Sequence, residues 1–232
     1  MITKPTSPLM KSRSVAQNIF ELLRADIVFG NLKPLDPIRE ADIALRLGVS
    51  RTPVREALLR LQTLGLVEIF PQAGTRVAPV RLQKVVAAQL IREAVEVEVV
   101  RRACRNASAA DLEAIAHLLE DQIIAAGRGD MRRLFELDES FHRAIHEAAG
   151  LGAVADELED VKVHLNRLRY ISVNWPRGAD KIMDEHTTIL RAMQRRDEQG
   201  AAEAMTLHLR AVLPVLESMA RHPQVQPPQA PE

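Results

Sequence analysis

The sequence predicts a mainly α-helical protein: a small N-terminal unit of helix, turn, helix and hairpin, followed by an antiparallel helical bundle. Three observations predict it. Residues 41–69 read as two short amphipathic helices around a glycine turn and then a strand, and residues 81–221 read as helical segments separated by turn residues, without a strand pattern. The composition is 47% hydrophobic but only 3% aromatic, an aliphatic supply that suits stacked helices better than a β-sandwich. At roughly 100–200 residues per domain, 232 residues accommodate a small domain and a larger one. The polar, turn-rich residues 1–10 and the proline-rich tail 222–232 are expected to be disordered, which leaves 11–80 and 81–221 as the two folded domains.

In the first domain, Ala41 to Leu47 gives a helix with Ile43, Ala44 and Leu47 facing inward, and Gly48 supplies the left-handed-tolerant residue at its end. Ser50 is placed to cap a second helix, in whose first turn Pro53 is tolerated because those amides lack intrahelical partners. That helix runs through Leu64. Its inward stripe is Val54, Leu58, Leu61 and Leu64, so Arg51, Thr52 and Arg55 lie on the opposite surface near the helix start, where a recognition helix meets base edges and phosphates. Leu66–Phe70 and Thr75–Pro79 follow as short strands joined by Pro71-Gln72-Ala73-Gly74, which makes a winged helix-turn-helix. A helix pair alone arises by chance among amphipathic sequences; the hairpin behind it narrows the reading.

The longer match is more specific. The stretch from Phe29-Gly30-Asn31-Leu32, through Gly48-Val49-Ser50-Arg51-Thr52-Pro53-Val54-Arg55-Glu56-Ala57-Leu58, to Gly65-Leu66-Val67 and Gly74-Thr75-Arg76-Val77 resembles the DNA-binding domain of the GntR family of bacterial transcription regulators. The resemblance implies phosphate and base contacts from Ser50, Arg51, Thr52 and Arg55, with the wing-tip Gly74 and Thr75 against the minor groove or backbone. Two departures stand out. The family usually has Pro-Gly where this chain has Pro34-Leu35, and it often has an arginine where Ala41 stands; Arg39 is the candidate replacement. Charge agrees with a nucleic-acid partner for this part alone: residues 1–80 hold eleven Lys/Arg against seven Asp/Glu, a net of +4 that the remainder of a neutral chain must cancel.

The second domain divides into segments 81–105, 109–127, 130–149, 151–173, 176–197 and 198–221, separated by Asn106-Ala107-Ser108, Gly127-Arg128-Gly129, Gly150, Asn174-Trp175-Pro176 and Gln199-Gly200. Short connections imply antiparallel neighbours. Polar residues interrupt three of the apolar stripes. Leu134, Asp138, Phe141/His142, Ile145 and Ala148/Ala149 share one helix face, so Asp138 and His142 point inward one turn apart; His186 joins Ile182, Ile189 and Met193, and His208 joins Ala201, Ala204/Met205, Val212, Val215 and Met219. Singly, each histidine is explained as a hydrogen-bonded core residue. Together, a buried aspartate and three buried imidazoles are costly without a shared partner, and one divalent cation resolves that cost. One oxygen and three nitrogens suit zinc first, and also nickel, manganese or iron.

The other histidines read differently. His117 and His222 are expected to be solvated, His146 is open to either reading, and His164 either borders a pocket beside Val161, Leu165 and Leu168 or sits at the surface. The single Cys104 cannot form an internal disulfide, which suggests a buried thiol in a reducing cytoplasm. No long apolar run or signal peptide is visible, so no membrane partner is expected.

Leu137-Asp138-Glu139-Ser140-Phe141-His142, then Asp184-Glu185-His186, then His208-Leu209 resemble the Asp-x-x-x-His, His, His ligand set of the FCD effector domain, which defines the FadR subfamily of GntR regulators. The resemblance implies a bundle that holds a metal through Asp138, His142, His186 and His208 and binds a small carboxylate through that metal. Arg92 is the candidate cation for the carboxylate, because the family often places an arginine there; Asn166 and Arg169 are further candidates, for which an exposed helix face is the alternative reading. It also implies a homodimer on a palindromic operator and, more often than an activator, a repressor. Two rival functions remain at this point: an architectural DNA-binding dimer with a purely structural metal, and a metal-dependent hydrolase, for which no general base is placed.

Overall fold

A computed structural model describes residues 14–174 and 178–221, with side chains through residue 217. The expected disordered segments 1–10 and 222–232, the tail histidine His222 and the Trp175-Pro176 break lie outside the described residues. The chain divides into two units, one reaching residue 27 and resuming over 31–79, the other taking 28–30 and the chain from residue 80 onward.

The first unit is built from α1 (Val15–Val28), β1 (Pro37–Ile38), α2 (Glu40–Leu47), α3 (Arg51–Thr63), β2 (Val67–Phe70) and β3 (Gly74–Val77). α1 and β1 are not among the elements the residue pattern predicts. Yet α1 is plainly amphipathic, burying Ile19, Phe20, Leu23 and Ile27 at helical spacing. β1 is too short to leave a periodic signal, and it adds a third strand to the wing: β3 pairs antiparallel with both β1 (Pro37 opposite Arg76) and β2 (Val67 opposite Val77). α2 ends at Gly48, whose left-handed backbone (φ 65°) turns the chain toward α3. α3 buries Val54, Ala57, Leu58 and Leu61, and stops one residue earlier than expected, with Leu64 as a half-buried cap.

Ser50 does precede α3 in extended backbone, but its hydroxyl makes no capping bond, contrary to the expected cap. Part of the reason is local: a capping hydroxyl accepts from the second or third helical amide, and the third residue of α3 is Pro53, which has no N–H, so only the Thr52 amide is left to it.

The second unit contains α4 (Leu82–Asn106), α5 (Ala109–Gly127), α6 (Met131–Ala148), α7 (Gly152–Val161), α8 (Val163–Val173), α9 (Gly178–Gln194), α10 (Glu198–Arg210) and α11 (Leu213–Arg221). Two of the six expected segments are each broken into two helices. Pro214 accounts for the break between α10 and α11, since its ring removes an amide and collides with the carbonyl four residues back. No glycine or proline marks the α7–α8 break; there the buried Lys162 turns inward, its Nζ 2.6 Å from Glu139 and 3.0 Å from Glu159. α5 opens on a capping box in which Ser108 and Asp111 satisfy each other's backbone amides. α4 packs on α10 with opposite chain direction, because Gln89 donates to the Leu209 carbonyl while Arg105 pairs with Glu198. α5 packs on α6, and α9 lies between α5 and α10. One apolar core joins these helices, with Phe141, Ile145, Ile189 and Met193 fully buried around the polar cluster described next. Among the described residues no helix is long and apolar enough to cross a membrane.

Candidate metal centre and nucleic-acid interface

α6 carries Asp138 and His142 one turn apart, α9 carries His186 and α10 carries His208, all four buried. These are the residues that interrupted the apolar stripes, and the fold brings them together: one donor atom from each lies within 4.8 Å of all the others. The Nε2 atoms of His142 and His208 are 3.1 Å apart, those of His186 and His208 are 3.4 Å apart, and His186 Nε2 is 3.4 Å from Asp138 Oδ1. Three imidazoles thus aim the same ring atom at one point.

Each ring is oriented from behind. His142 Nδ1 lies 2.5 Å from Glu96 Oε2, His186 Nδ1 lies 2.7 Å from Gln122 Oε1, and His208 Nδ1 lies 2.9 Å from Glu185 Oε2. The Gln122 amide is itself fixed, because its nitrogen donates to the Leu137 carbonyl at 3.2 Å and so turns the oxygen toward His186. At His186 and His208 an oxygen acceptor at Nδ1 places the ring proton there and leaves the Nε2 lone pair facing inward, the tautomer a metal ligand needs; at His142 the Arg92 guanidinium, which can only donate, meets Nε2 at 3.0 Å and so also marks it as the lone-pair atom. Burial, with His142 and Arg92 adding to it, pushes His208 well below its ordinary pKa; burial and His208 do the same to His186. Both rings are neutral at pH 7. Burial alone would raise Asp138, but the Arg169 guanidinium against it more than offsets this and keeps the carboxylate ionised. Neutral His186 and His208, an ionised Asp138 and the converging Nε2 of His142 are the chemistry of a divalent-cation site, and the four residues fit one.

A cavity of about 40 Å³ opens beside these donors, lined by Arg92, Asp138, Arg169, Glu185 and His208 together with apolar Phe135, Ile182 and Val212. Arg92 is 3% exposed; its Nε donates to Glu96 at 2.7 Å and its NH2 lies 3.0 Å from His142 Nε2. Burial would raise Glu96, but Arg92, His142 and Lys162 hold it well below the usual carboxylate range. Arg169 is not on an exposed face. It is buried and fully engaged, with one nitrogen on Asp138 and the other on Glu139 and, at 2.8 Å, on Asn166 Oδ1. Asn166 is likewise buried, and it meets Arg169 rather than the cavity. His164 is also buried, against the surface alternative, as is His146; His117 is exposed beside Glu120. The residues that sequence reasoning missed are Glu96, Gln122 and Glu185. Glu96 stands one helical turn from Arg92 and Glu185 beside His186, but nothing local distinguishes Gln122 from any other helical glutamine.

In the first unit, Arg51, Thr52 and Arg55 are exposed along the start of α3, and Ser50 precedes them, its hydroxyl unused in capping. Arg55 is braced by Glu40, at 3.0 and 3.2 Å, while its side chain stays 68% exposed. Arg39 precedes α2 and is exposed, 3.9 Å from Asp42. At the wing tip Gly74 is exposed with φ 94° and Thr75 is half-buried. Arg76, on the same strand, is tied to Glu68 of β2 at 2.9 Å and lies over Phe70.

A winged helix-turn-helix joined to a helical bundle is the build of a DNA-binding regulator. Residues 15–77 match the family of bacterial regulatory proteins, gntR family, and residues 89–211 match the FCD domain. The chain is 34% identical over 208 residues to the HTH-type transcriptional repressor RspR of Escherichia coli (strain K12), covering 90% of this chain and 89% of that one. It is 30% identical over 210 residues to the probable D-xylose utilization operon transcriptional repressor of Paenarthrobacter nicotinovorans, covering 90% and 92%. Among solved structures, E. coli McbR/YncC shares the fold, with a TM-score of 0.78 at 23% identity over 90% of this chain and 100% of that one. The chain therefore belongs to the GntR family and carries an FCD domain. It is a transcription regulator, not an enzyme.

Proposed function

We propose that this chain is a homodimeric repressor of the FadR subfamily whose affinity for a palindromic operator is set by a small carboxylate bound beside a divalent metal in the bundle. The observation that carries the reading is the convergence of Asp138, His142, His186 and His208 within 4.8 Å, next to a cavity that Arg92 lines. Asp138 and the three Nε2 atoms would hold the cation, zinc first and nickel, manganese or iron after it. When bound, that cation supplies a Lewis-acidic anchor for one carboxylate oxygen.

Charge favours an anion as the second ligand. Around the cavity Arg92, Arg169 and Lys162 face Asp138, Glu96 and Glu139, and Glu185 on the cavity wall, whose carboxyl burial raises to about 7, adds a partial negative charge. With His186 and His208 neutral, a divalent ion leaves this cluster positive, and a mono- or dicarboxylate restores the balance. Arg92 pairs with the free end of the acid, because its two flanking partners leave part of the guanidinium toward the cavity, and a planar guanidinium suits a carboxylate better than a lysine would. Arg169 and Asn166 support the site from the other side by fixing Asp138.

At the other end of the chain, Ser50, Arg51, Thr52 and Arg55 meet bases and phosphates, with Gly74 and Thr75 of the wing against the adjacent backbone or minor groove and Arg39 as an added phosphate contact. One reading head per chain and a two-fold operator call for a homodimer, acting in the cytoplasm. Repression is favoured because two relatives that share 30% or more of the sequence are named as repressors. Purified protein is expected to hold about one divalent ion per chain, and His186→Ala/His208→Ala is expected to lose it. Full occupancy in that double variant would contradict the assigned ligands.

A further inference from the structure

Glu96 differs from the other groups that brace the imidazoles. Gln122 holds His186 and the Leu137 carbonyl, and Glu185 holds His208 and lies 3.7 Å from Lys181. Glu96 instead sets one oxygen 2.5 Å from His142 Nδ1, a close charge contact rather than a well-aligned hydrogen bond, and gives the other to Arg92 Nε (2.7 Å), with all three side chains about 3% exposed. Water is excluded there, and besides Glu96 the two share one direct contact, Arg92 NH2 to His142 Nε2 at 3.0 Å.

We infer that Glu96 is a positioning residue that couples the two halves of the bundle site, tying the candidate metal ligand His142 to the candidate acid-binding Arg92. The inference rests on the function proposed above and deepens it. One carboxylate serves two buried donors, and the share each takes depends on the other. His142, once coordinated through Nε2, donates more strongly through Nδ1 and draws the Glu96 charge toward itself. Arg92 is then less fully neutralised, and its attraction for an incoming carboxylate rises. Reciprocity requires that an acid seated on Arg92 strengthen the metal site by the same factor.

Glu96→Gln tests this because an amide keeps the shape but offers one acceptor oxygen and an NH2, so it can serve only one of the two donors. Metal-stripped full-length protein is titrated with cobalt(II), whose visible absorption reports occupancy and its coordination, and the cobalt-saturated protein is then titrated with acetate. Gln122→Met, which removes the brace from His186 alone, is carried in parallel, and thermal unfolding of each variant shows that it is folded. Both variants are expected to lower cobalt affinity by about 10–100-fold. Only Glu96→Gln should also change acetate binding to the cobalt-saturated protein: with the Glu96 charge gone Arg92 is less neutralised, and acetate binds about tenfold more tightly. Acetate affinity weakened or within twofold of wild type in Glu96→Gln overturns the coupling, and so does an equal gain in Gln122→Met. Wild-type protein that takes up no cobalt contradicts the proposed metal site itself, and this inference falls with it.

Discussion

Leu35 holds φ 72°, a left-handed backbone in which its Cβ crowds the following carbonyl, and it stands at the position where related regulators usually have glycine. The turn is fixed by the Leu35 amide, which donates to the Val77 carbonyl at 3.0 Å, while the side chain is 57% exposed and contributes little burial. Leu35→Gly relieves about 1–2 kcal/mol of backbone strain against about 0.5–1 kcal/mol of added unfolded-state entropy, so chemical denaturation should show an unchanged to modestly raised stability, by up to about 1.5 kcal/mol. A clear loss would show that the loop does not strain the backbone. Cys104 makes the opposite kind of prediction. Burial, with Glu198 and Asp197 adding to it, pushes its thiol up to about 11, so on the order of one in 10,000 molecules carries the thiolate at pH 7. A thiol reagent should leave native protein unmodified and label it fully once denatured. The four candidate ligands were legible because polar residues at apolar positions of a helix period are conspicuous. Their braces were not, since Gln122 meets a histidine 64 residues away and no local pattern encodes that contact.

Among the elements, those with sustained 3.6-residue periodicity were readable and those fixed by tertiary pairing were not. α2, α3 and the hairpin follow from their stripes and turn residues, whereas β1 exists only because β3 offers it a partner. The expectation of one helix over 198–221 overlooked Pro214, a signal present in the sequence; the α7–α8 break has no such signal and falls at Lys162, whose ammonium reaches Glu139 and Glu159. The capping box of α5 gives a direct test of one element's start: Ser108→Ala should cost about 1 kcal/mol, and an unchanged midpoint in urea would show that the box is not formed in solution. α3 gives the functional counterpart. Arg51→Ala and Arg55→Ala should each weaken operator binding by about 1–3 kcal/mol while leaving the fold intact, measured by a binding titration at fixed salt. Unchanged affinity in both would mean that another surface reads the DNA.

For the whole molecule, the account makes the bundle a sensor and the winged helix-turn-helix its output, joined by a linkage free energy rather than by any single contact. A strong chelator should lower the thermal midpoint of the purified protein, and an added carboxylate should raise it in proportion to ligand excess over its dissociation constant. Neither result alone ties the bundle to DNA. The measurement that does is the operator affinity of metal-loaded protein, titrated on an operator selected from random DNA, with and without each of a set of small mono- and dicarboxylates, before and after chelation. The account predicts that at least one acid shifts operator affinity by about 5–150-fold and that chelation abolishes the shift. Operator affinity unchanged by every acid and by removal of the metal would contradict it, and would leave a DNA-binding protein whose buried histidine cluster serves only its structure.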